Sequence, residues 1–421
     1  MSFSYISHLY CPKCEASYPP HRQAHLCACG SPLLAAYRLD ELKASVRRSE
    51  LAAREPSLWR YHELLPVEQA QNIISLGEGF TPLLPLPRLG RRISIPHLYL
   101  KDDGLLPTGS FKARGAAVGV SKAMELGVRE LALPTNGNAG AAWALYAARA
   151  GIRSTVVMPV DAPAITRSEC TIAGARRLHL VKGLISDAGK IVAQAISDDD
   201  GLYDASTLKE PYRIEGKKTI GFEIVEQFGW KLPDVIVYPT GGGVGLIGIY
   251  KALTELLALG WVQGKLPRFV AVQSAGCAPI VEAWKNRQIE STFWPQASTI
   301  AFGINVPKAL GDFLVLDALY QTEGCAIAID DRAILEEQRL IAELEGAFIC
   351  PEGASTLVAA RRLRDSGWIQ DSDSVVVINT GLGLKYPHVI QTNIPVIKPG
   401  DRLNSKIDAT SRPPTPWEGI G

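Results

Sequence analysis

Apolar runs in this chain keep ending in turns built from glycine and small polar residues. Leu131-Ala132-Leu133 leads into Pro134-Thr135-Asn136-Gly137-Asn138-Ala139-Gly140, and an alanine-rich run follows. Asp234-Val235-Ile236-Val237-Tyr238 leads into Pro239-Thr240-Gly241-Gly242-Gly243-Val244-Gly245, again ahead of an apolar run. Val375-Val376-Val377-Ile378 ends in Asn379-Thr380-Gly381-Leu382-Gly383-Leu384-Lys385. Strand, tight turn, helix is the repeating unit of a parallel sheet with right-handed crossovers. The spacing predicts strands at 130–133, 154–158, 177–181 and 202–204, and a second series at 235–238, 269–273, 326–329 and 375–378. The expected class is α/β, with two open parallel-sheet domains. A small domain is expected at 99–220 and a large one at 41–98 with 221–398. A cysteine knuckle is expected at 1–40, a largely helical stretch at 41–75, and a poorly ordered tail at 399–421, where Pro413, Pro414 and Pro416 cluster.

Composition excludes several function classes. The chain has 421 residues, is 47% hydrophobic and carries a formal net charge of +1. This suits sizeable cores and argues against a nucleic-acid surface or a disordered chain. The first 25 residues hold no long apolar core, so no signal peptide is expected, and no run approaches a membrane span. Cys170, Cys277, Cys325 and Cys350 are scattered, which reads as reduced thiols in the cytoplasm.

Pro107-Thr108-Gly109-Ser110-Phe111-Lys112-Ala113-Arg114-Gly115 sets one lysine behind a hydroxyl-and-glycine turn and ahead of a helical run. Lys112 there is either an ordinary surface lysine or an amine placed to form a Schiff base with a carbonyl group. The turn holding Thr135, Asn136 and Gly137 offers backbone N–H groups at a helix start, which suit a carboxylate or phosphate. Its two amides, Asn136 and Asn138, can orient a polar ligand. Gly241, Gly242, Gly243, Val244 and Gly245 can wrap a single phosphate as a nest of amides. They form neither a Walker A loop nor a spaced dinucleotide motif. Thr380 sits at the carboxyl end of a strand, where open α/β sheets place ligands. Lys385, after two glycines, is an anion-binding candidate. Lys217 and Lys218 fit either a substrate phosphate or a solvated helix cap. Arg114 is read as an anchor of the lysine helix. Cys11-x-x-Cys14 and Cys27-x-Cys29 flank His21 and His25. Two close thiol pairs fit a structural zinc knuckle, with His25 as an alternative ligand, or a knuckle that has lost its metal.

Together, Gly-Ser-Phe-Lys112, the Thr135-to-Asn138 turn, the glycine loop and the Thr380-Gly381 strand end resemble the fold-type II pyridoxal-phosphate enzymes. Glu78-Gly79-Phe80-Thr81-Pro82-Leu83, Arg213-Ile214-Glu215-Gly216-Lys217-Lys218-Thr219 and Thr380-to-Lys385 are similar to the threonine synthase branch. The resemblance spans about residues 75–390. It implies that Lys112 holds pyridoxal phosphate covalently and then moves protons at the substrate α and β carbons. Asn138 would meet the cofactor's phenolic oxygen, residues 241–245 its phosphate, and Thr380 its pyridine nitrogen. Thr135, Asn136 and Gly137 would bind the substrate α-carboxylate, with Ser110 and Lys385 as further substrate contacts. The implied reaction turns O-phospho-L-homoserine and water into L-threonine and phosphate. A threonine or serine dehydratase using the same cofactor is the alternative, and a binding protein on an inactive scaffold is a third reading. The implied assembly is a homodimer acting on a small amino acid, with no nucleic acid or membrane partner. Leu106, Ala113 and Glu210-Pro211 depart from the branch, which carries Asn, Asp and Asn-Pro there. The Lys-Ala-Arg-Gly-Ala run starting at Lys112 leans towards the dehydratases.

Overall fold

The computed structural model describes residues 2–390, 394, 396 and 398–400. The tail expected to be poorly ordered lies, from 401 onward, outside the described residues. In chain order the strands are β1 (Ile6–Tyr10), β2 (Ser17–Tyr18), β3 (Leu34–Tyr37), β4 (Leu83–Pro85), β5 (His97–Asp102), β6 (Glu130–Pro134) and β7 (Arg153–Pro159). They continue as β8 (Arg177–Val181), β9 (Leu202–Asp204), β10 (Val235–Pro239), β11 (Arg268–Ser274), β12 (Cys325–Ile329) and β13 (Ser374–Asn379).

These strands build three sheets. A six-stranded sheet runs in the order β12-β11-β10-β13-β5-β4, parallel except for the β4 edge. A four-stranded parallel sheet runs β8-β7-β6-β9. The N-terminal residues form a three-stranded antiparallel sheet, β2-β1-β3. Every residue of β10 is buried, as a parallel strand covered on both faces requires. The outer strand β8 is by contrast mostly exposed. β5 joins the six-stranded sheet even though the chain then passes directly into the helix that leads to the smaller sheet.

The stretch 41–75, expected to be largely helical, is not. It holds the end of a short helix, Leu39–Ser45, and three 3-10 turns. Pro56 and Pro66 interrupt it, and proline ends helices by removing an N–H donor.

Fully buried charges join the two halves of the fold. Arg114, on helix Lys112–Glu125, pairs with Asp103 at 2.7 Å and with Glu223 at 2.5 Å. Lys101 on β5 reaches the same Glu223 at 2.7 Å. All four side chains are inaccessible to solvent. Thr81 and Thr219 accept further bonds from Arg114. Burial raises the Glu223 carboxyl's pKa, but the two cations beside it outweigh that and hold it at about 2.

Removing one partner of such a network leaves a buried unpaired charge. Arg114→Met is therefore expected to lower unfolding free energy by about 3–5 kcal/mol, read from the denaturant midpoint. Because the folded carboxyl titrates below its unfolded value, its contribution is present above about pH 4.5 and is lost as pH falls towards 2. Glu223→Gln should lack that segment of the acid-unfolding curve. Identical acid profiles for the variant and the parent would contradict the pairing.

Candidate functional site

The carboxyl ends of β6, β10 and β13 meet at one cavity of about 630 Å³. Lys112 opens its helix there. The 106–111 turn is pinned against the strand end by Phe111 N–H, which donates to the Thr380 carbonyl at 2.9 Å. Around Lys112 stand Thr135, Asn136, Gly137, Asn138, the loop Gly241–Gly245, and Thr380, all lining the same space. Residues up to 268 positions apart in the chain thus share one wall, with the exceptions given below.

Parts of this wall expose backbone donors suited to an anion. Helix Val244–Leu259 begins inside the glycine loop, and its first-turn N–H groups have no intrahelical acceptor. Gly243 takes φ +77°, and a Cβ there would run into Val315. A Cβ on Gly245 would run into the Tyr238 ring, so only glycine lets the loop close against its own strand. The Thr135 hydroxyl accepts from Gly137 N–H at 2.9 Å and Gly140 N–H at 3.0 Å. It thereby caps helix Asn138–Ala150 and fixes the turn. Asn138 is buried with its Oδ1 lacking a partner among the described residues, as a ligand-facing amide would be.

Lys112, Lys217 and Arg213 are three of six cations that line this space, the others being Lys190, Lys209 and Lys308. Lys112 Nζ and Lys217 Nζ stand 4.0 and 4.1 Å from the Phe111 ring centroid. Arg213 lines the cavity and is oriented by Glu210, Thr207 and the Ala205 carbonyl. Burial lowers the Lys112 amine to about 8, opposed by Glu352 and assisted by Arg213. Burial, and then the Lys112 charge, push Lys217 well below the usual lysine value. Burial also lowers Arg213, against the pull of Glu210. Glu352 is the facing carboxylate. Its Oε1 accepts from the Tyr386 hydroxyl and Gly303 N–H, both at 2.7 Å, while Oε2 is buried without a partner among the described residues.

Two candidates fall outside the cavity wall. Lys385 donates to Glu169 at 2.7 Å and to the Thr108 carbonyl at 3.0 Å, so its charge is already satisfied. Ser110 is fully buried, its hydroxyl unpartnered among the described residues. Of the adjacent lysines, Lys217 enters the cavity, and Lys218 is buried beside Glu215 and Glu255. Leu106 and Ala113 lie in the apolar core under the small sheet. Glu210 reaches the site only through Arg213. Sequence reasoning missed Arg213, Glu352 and Tyr386 as cavity groups. The Arg-x-Glu-Gly-Lys stretch was the only signal, and it gave no direction for the arginine.

At the other end of the chain, Cys11, Cys14, Cys27 and Cys29 bring all four sulfurs within 4.8 Å of one another. His25 is not with them. Its ring sits 5.0 Å from that of Tyr203.

Comparison with known proteins agrees with this geometry. A family model described as pyridoxal-phosphate dependent enzyme matches residues 74–381. Threonine synthase of Methanocaldococcus jannaschii is 36% identical, covering 90% of this chain and 92% of that protein. The threonine synthase of Methanosarcina acetivorans is 35% identical, covering 96% and 97%. Among solved structures, the processed form of threonine deaminase isoform 2 from Solanum lycopersicum superposes with a TM-score of 0.62 at 20% identity, over 72% of this chain and 84% of that one. Maize serine racemase gives 0.60 at 22%, over 72% and 88%. These two share the fold. The lysine at the cavity, the glycine loop and the family match lead to one conclusion: the chain belongs to the pyridoxal-phosphate dependent enzymes.

Proposed function

We propose that this protein is a threonine synthase, converting O-phospho-L-homoserine and water to L-threonine and phosphate. The cluster of Lys112, Lys217 and Arg213 around one cavity carries the reading. Two phosphate groups, the cofactor's and the substrate's, need such positive charge, whereas a dehydratase handles only one. The threonine synthase relatives, matched over most of their length, support the same activity.

The residues fit pyridoxal phosphate. The aldehyde would be held by Lys112, the phosphate by the amides of Gly241–Gly245, the phenolic oxygen by Asn138 and the pyridine nitrogen by Thr380. When bound, the cofactor withdraws electrons from the substrate α-carbon. The protein's own residues do the rest. Lys112, neutral above about pH 8, is the base and acid at the α and β carbons. The Thr135–Gly137 turn holds the α-carboxylate with backbone N–H groups. Arg213 and Lys217 steady the leaving phosphate. Burial of the Lys112 end of the cavity limits stray water at the reacting carbons.

The four thiolates suit a structural zinc ion that takes no part in the bond changes themselves. Eight free cysteines among the described residues support a reducing compartment, which we take to be the cytoplasm. Among the described residues no helix is long and apolar enough to cross a membrane. A homodimer is the assembly we expect.

Purified holo-protein given O-phospho-L-homoserine should release phosphate and threonine in equal amounts. Ammonia and a 2-oxo acid from threonine, with the phosphorylated substrate inert, would transfer the protein to the dehydratases. Lys112→Ala should lose both activity and the visible absorbance of covalently held cofactor. Because the neutral amine is the nucleophile, the rate of cofactor uptake by the apo-protein should climb as pH rises through about 8. A flat uptake profile between pH 6.5 and 9.5 (a range set about that value) would count against Lys112 as the anchor. Arg213→Ala is expected to raise KM for the phosphorylated substrate by about tenfold or more, consistent with loss of a charge-assisted bond. An unchanged KM would remove Arg213 from the substrate site.

A further inference from the structure

The N-terminal sheet is wedged between the two larger cores rather than appended to one. Tyr5 and Leu34 belong to the apolar cluster against the six-stranded sheet, with Ile236, Phe269 and Val376. Their chain neighbours Ile6, Leu33 and Ala35 belong to the cluster under the small sheet, with Leu131, Leu133 and Val156. Alternate side chains of a strand point to opposite faces; β3 puts Leu34 into one core and Ala35 into the other, while β1 puts Ile6 and Leu9 into the second core and packs Tyr10 against the first. Two of the four thiols, Cys11 and Cys27, are buried in the second of these clusters.

The loops around the thiols also reach segments that lead into the cavity wall from two sides. Pro20 accepts a hydrogen bond from the Tyr212 hydroxyl at 3.0 Å, and Tyr212 immediately precedes Arg213. His25 packs on Tyr203 of β9. On the opposite side Lys13, two residues from Cys11, pairs with Glu290 and stands 4.5 Å from the Phe313 ring centroid. The next residue, Ser291, is held by Asp312 through its N–H at 2.8 Å, and its carbonyl accepts from Lys308 at 2.5 Å. Lys308 lines the cavity.

The sulfur geometry suits a closed tetrahedral ion. Zinc at about 2.3 Å from each of four thiolates sets neighbouring sulfurs about 3.8 Å apart. Here Cys11 and Cys29 are 3.5 Å apart and Cys14 and Cys27 are 3.4 Å apart. Lys13 N–H donates to the Cys11 sulfur at 3.4 Å, and the Tyr18 hydroxyl donates to the Cys27 sulfur at 3.3 Å. These bonds would offset the negative charge of the thiolates.

We infer that the four-cysteine site is a zinc-fixed strap that sets the spacing of the two walls of the cavity, through Pro20–Tyr212 on one side and Lys13–Glu290 on the other. This rests on the zinc reading given above. Without metal the two cysteine loops lose their common anchor. Lys13 and Pro20 then no longer have fixed positions relative to each other, and Arg213 and Lys308 lose part of their support.

The test uses full-length holo-protein. Zinc content is measured by atomic emission. KM, kcat and hydrogen exchange at 203–213 and 290–313 are then compared for loaded protein, chelator-stripped protein and a zinc-loaded Lys13→Ala variant. One zinc per chain is expected. Stripping should raise KM about fivefold or more with cofactor absorbance kept, and should speed exchange in both segments. Lys13→Ala should keep its zinc and reproduce the faster exchange at 290–313 with part of the KM rise. No zinc above trace after expression in zinc-supplemented medium overturns the metal reading and the strap together. Zinc present, with KM and exchange in Lys13→Ala matching the parent, overturns the strap alone, even where stripping unfolds the protein. The exchange readout does not depend on the substrate, so failure of the synthase assignment is seen separately.

Discussion

Everything about the site depends on how Arg114 is buried. Its guanidinium is tied to Asp103 beyond the end of β5 and to Glu223 on helix Arg213–Gln227, and Glu223 is tied back to Lys101 on the same strand. A guanidinium is planar and donates in fixed directions, so bonding two carboxylates fixes its helix in rotation as well as position. Lys112 lies two residues before Arg114, at the helix start. The buried ion network therefore aims the amine at the cavity. The same helix that supplies Glu223 begins with Arg213 and carries Lys217, so one constraint places three cations at the site. Gly115 and Gly216 allow this closeness, because a Cβ on Gly216 would collide with the Arg114 backbone.

Crowding like charges in a buried space has a cost that an anion relieves. Lys112, Lys217 and Arg213 are all pushed towards their neutral forms, first by burial, and the two lysines in part by neighbouring cations. Among the described residues lining the cavity, Glu352 is the one carboxyl group beside them. For Lys112 this poise is useful, since a neutral amine is the form that attacks a carbonyl carbon. For Arg213 and Lys217 the same poise favours a bound phosphate, which restores their charge balance. The glycine loop supplies neutral donors, so it adds phosphate affinity without adding to the repulsion.

The parts of this site that were legible in the sequence are the local ones. A strand, a glycine turn and a helix start are encoded within about ten residues, so Asn138, Gly241–Gly245 and Thr380 could be read directly. The α/β class and the positions of β6 to β13 follow from the same periodicity. Contacts across long separations could not be read. Lys385 looks available in sequence, but Glu169, 216 residues earlier, neutralises it. Glu352 lies in the first turn of helix Pro351–Asp365, and only its bond from Tyr386, 34 residues later, and its place in the cavity wall show that it faces the site. The stretch 41–75 looked helical because charged and apolar residues mix there, yet that mixture follows contacts with two cores rather than one helical face. His25 was a plausible ligand by spacing, and Tyr203 claims its ring instead.

Leu106, Ala113 and Glu210 depart from the synthase pattern, and the structure gives each a physical role. Leu106 and Ala113 are buried in the apolar cluster under the small sheet, where an Asn or Asp would have to be hydrogen-bonded to be tolerated. Glu210 is fully buried, accepts from the N–H groups of Tyr212 and Arg213 at 2.7 and 2.9 Å, and pairs with the Arg213 side chain at 3.4 Å. It thus caps the start of helix Arg213–Gln227 and orients the arginine. A carboxylate does both jobs that an amide at this place would do through the backbone, and it adds charge that holds Arg213 protonated against burial. The departures therefore fall on the support of the site and leave Lys112, Lys217 and Arg213 in the cavity wall. That is the arrangement a phosphorylated substrate requires, and it is the physical reason to favour the synthase over the dehydratase on this scaffold.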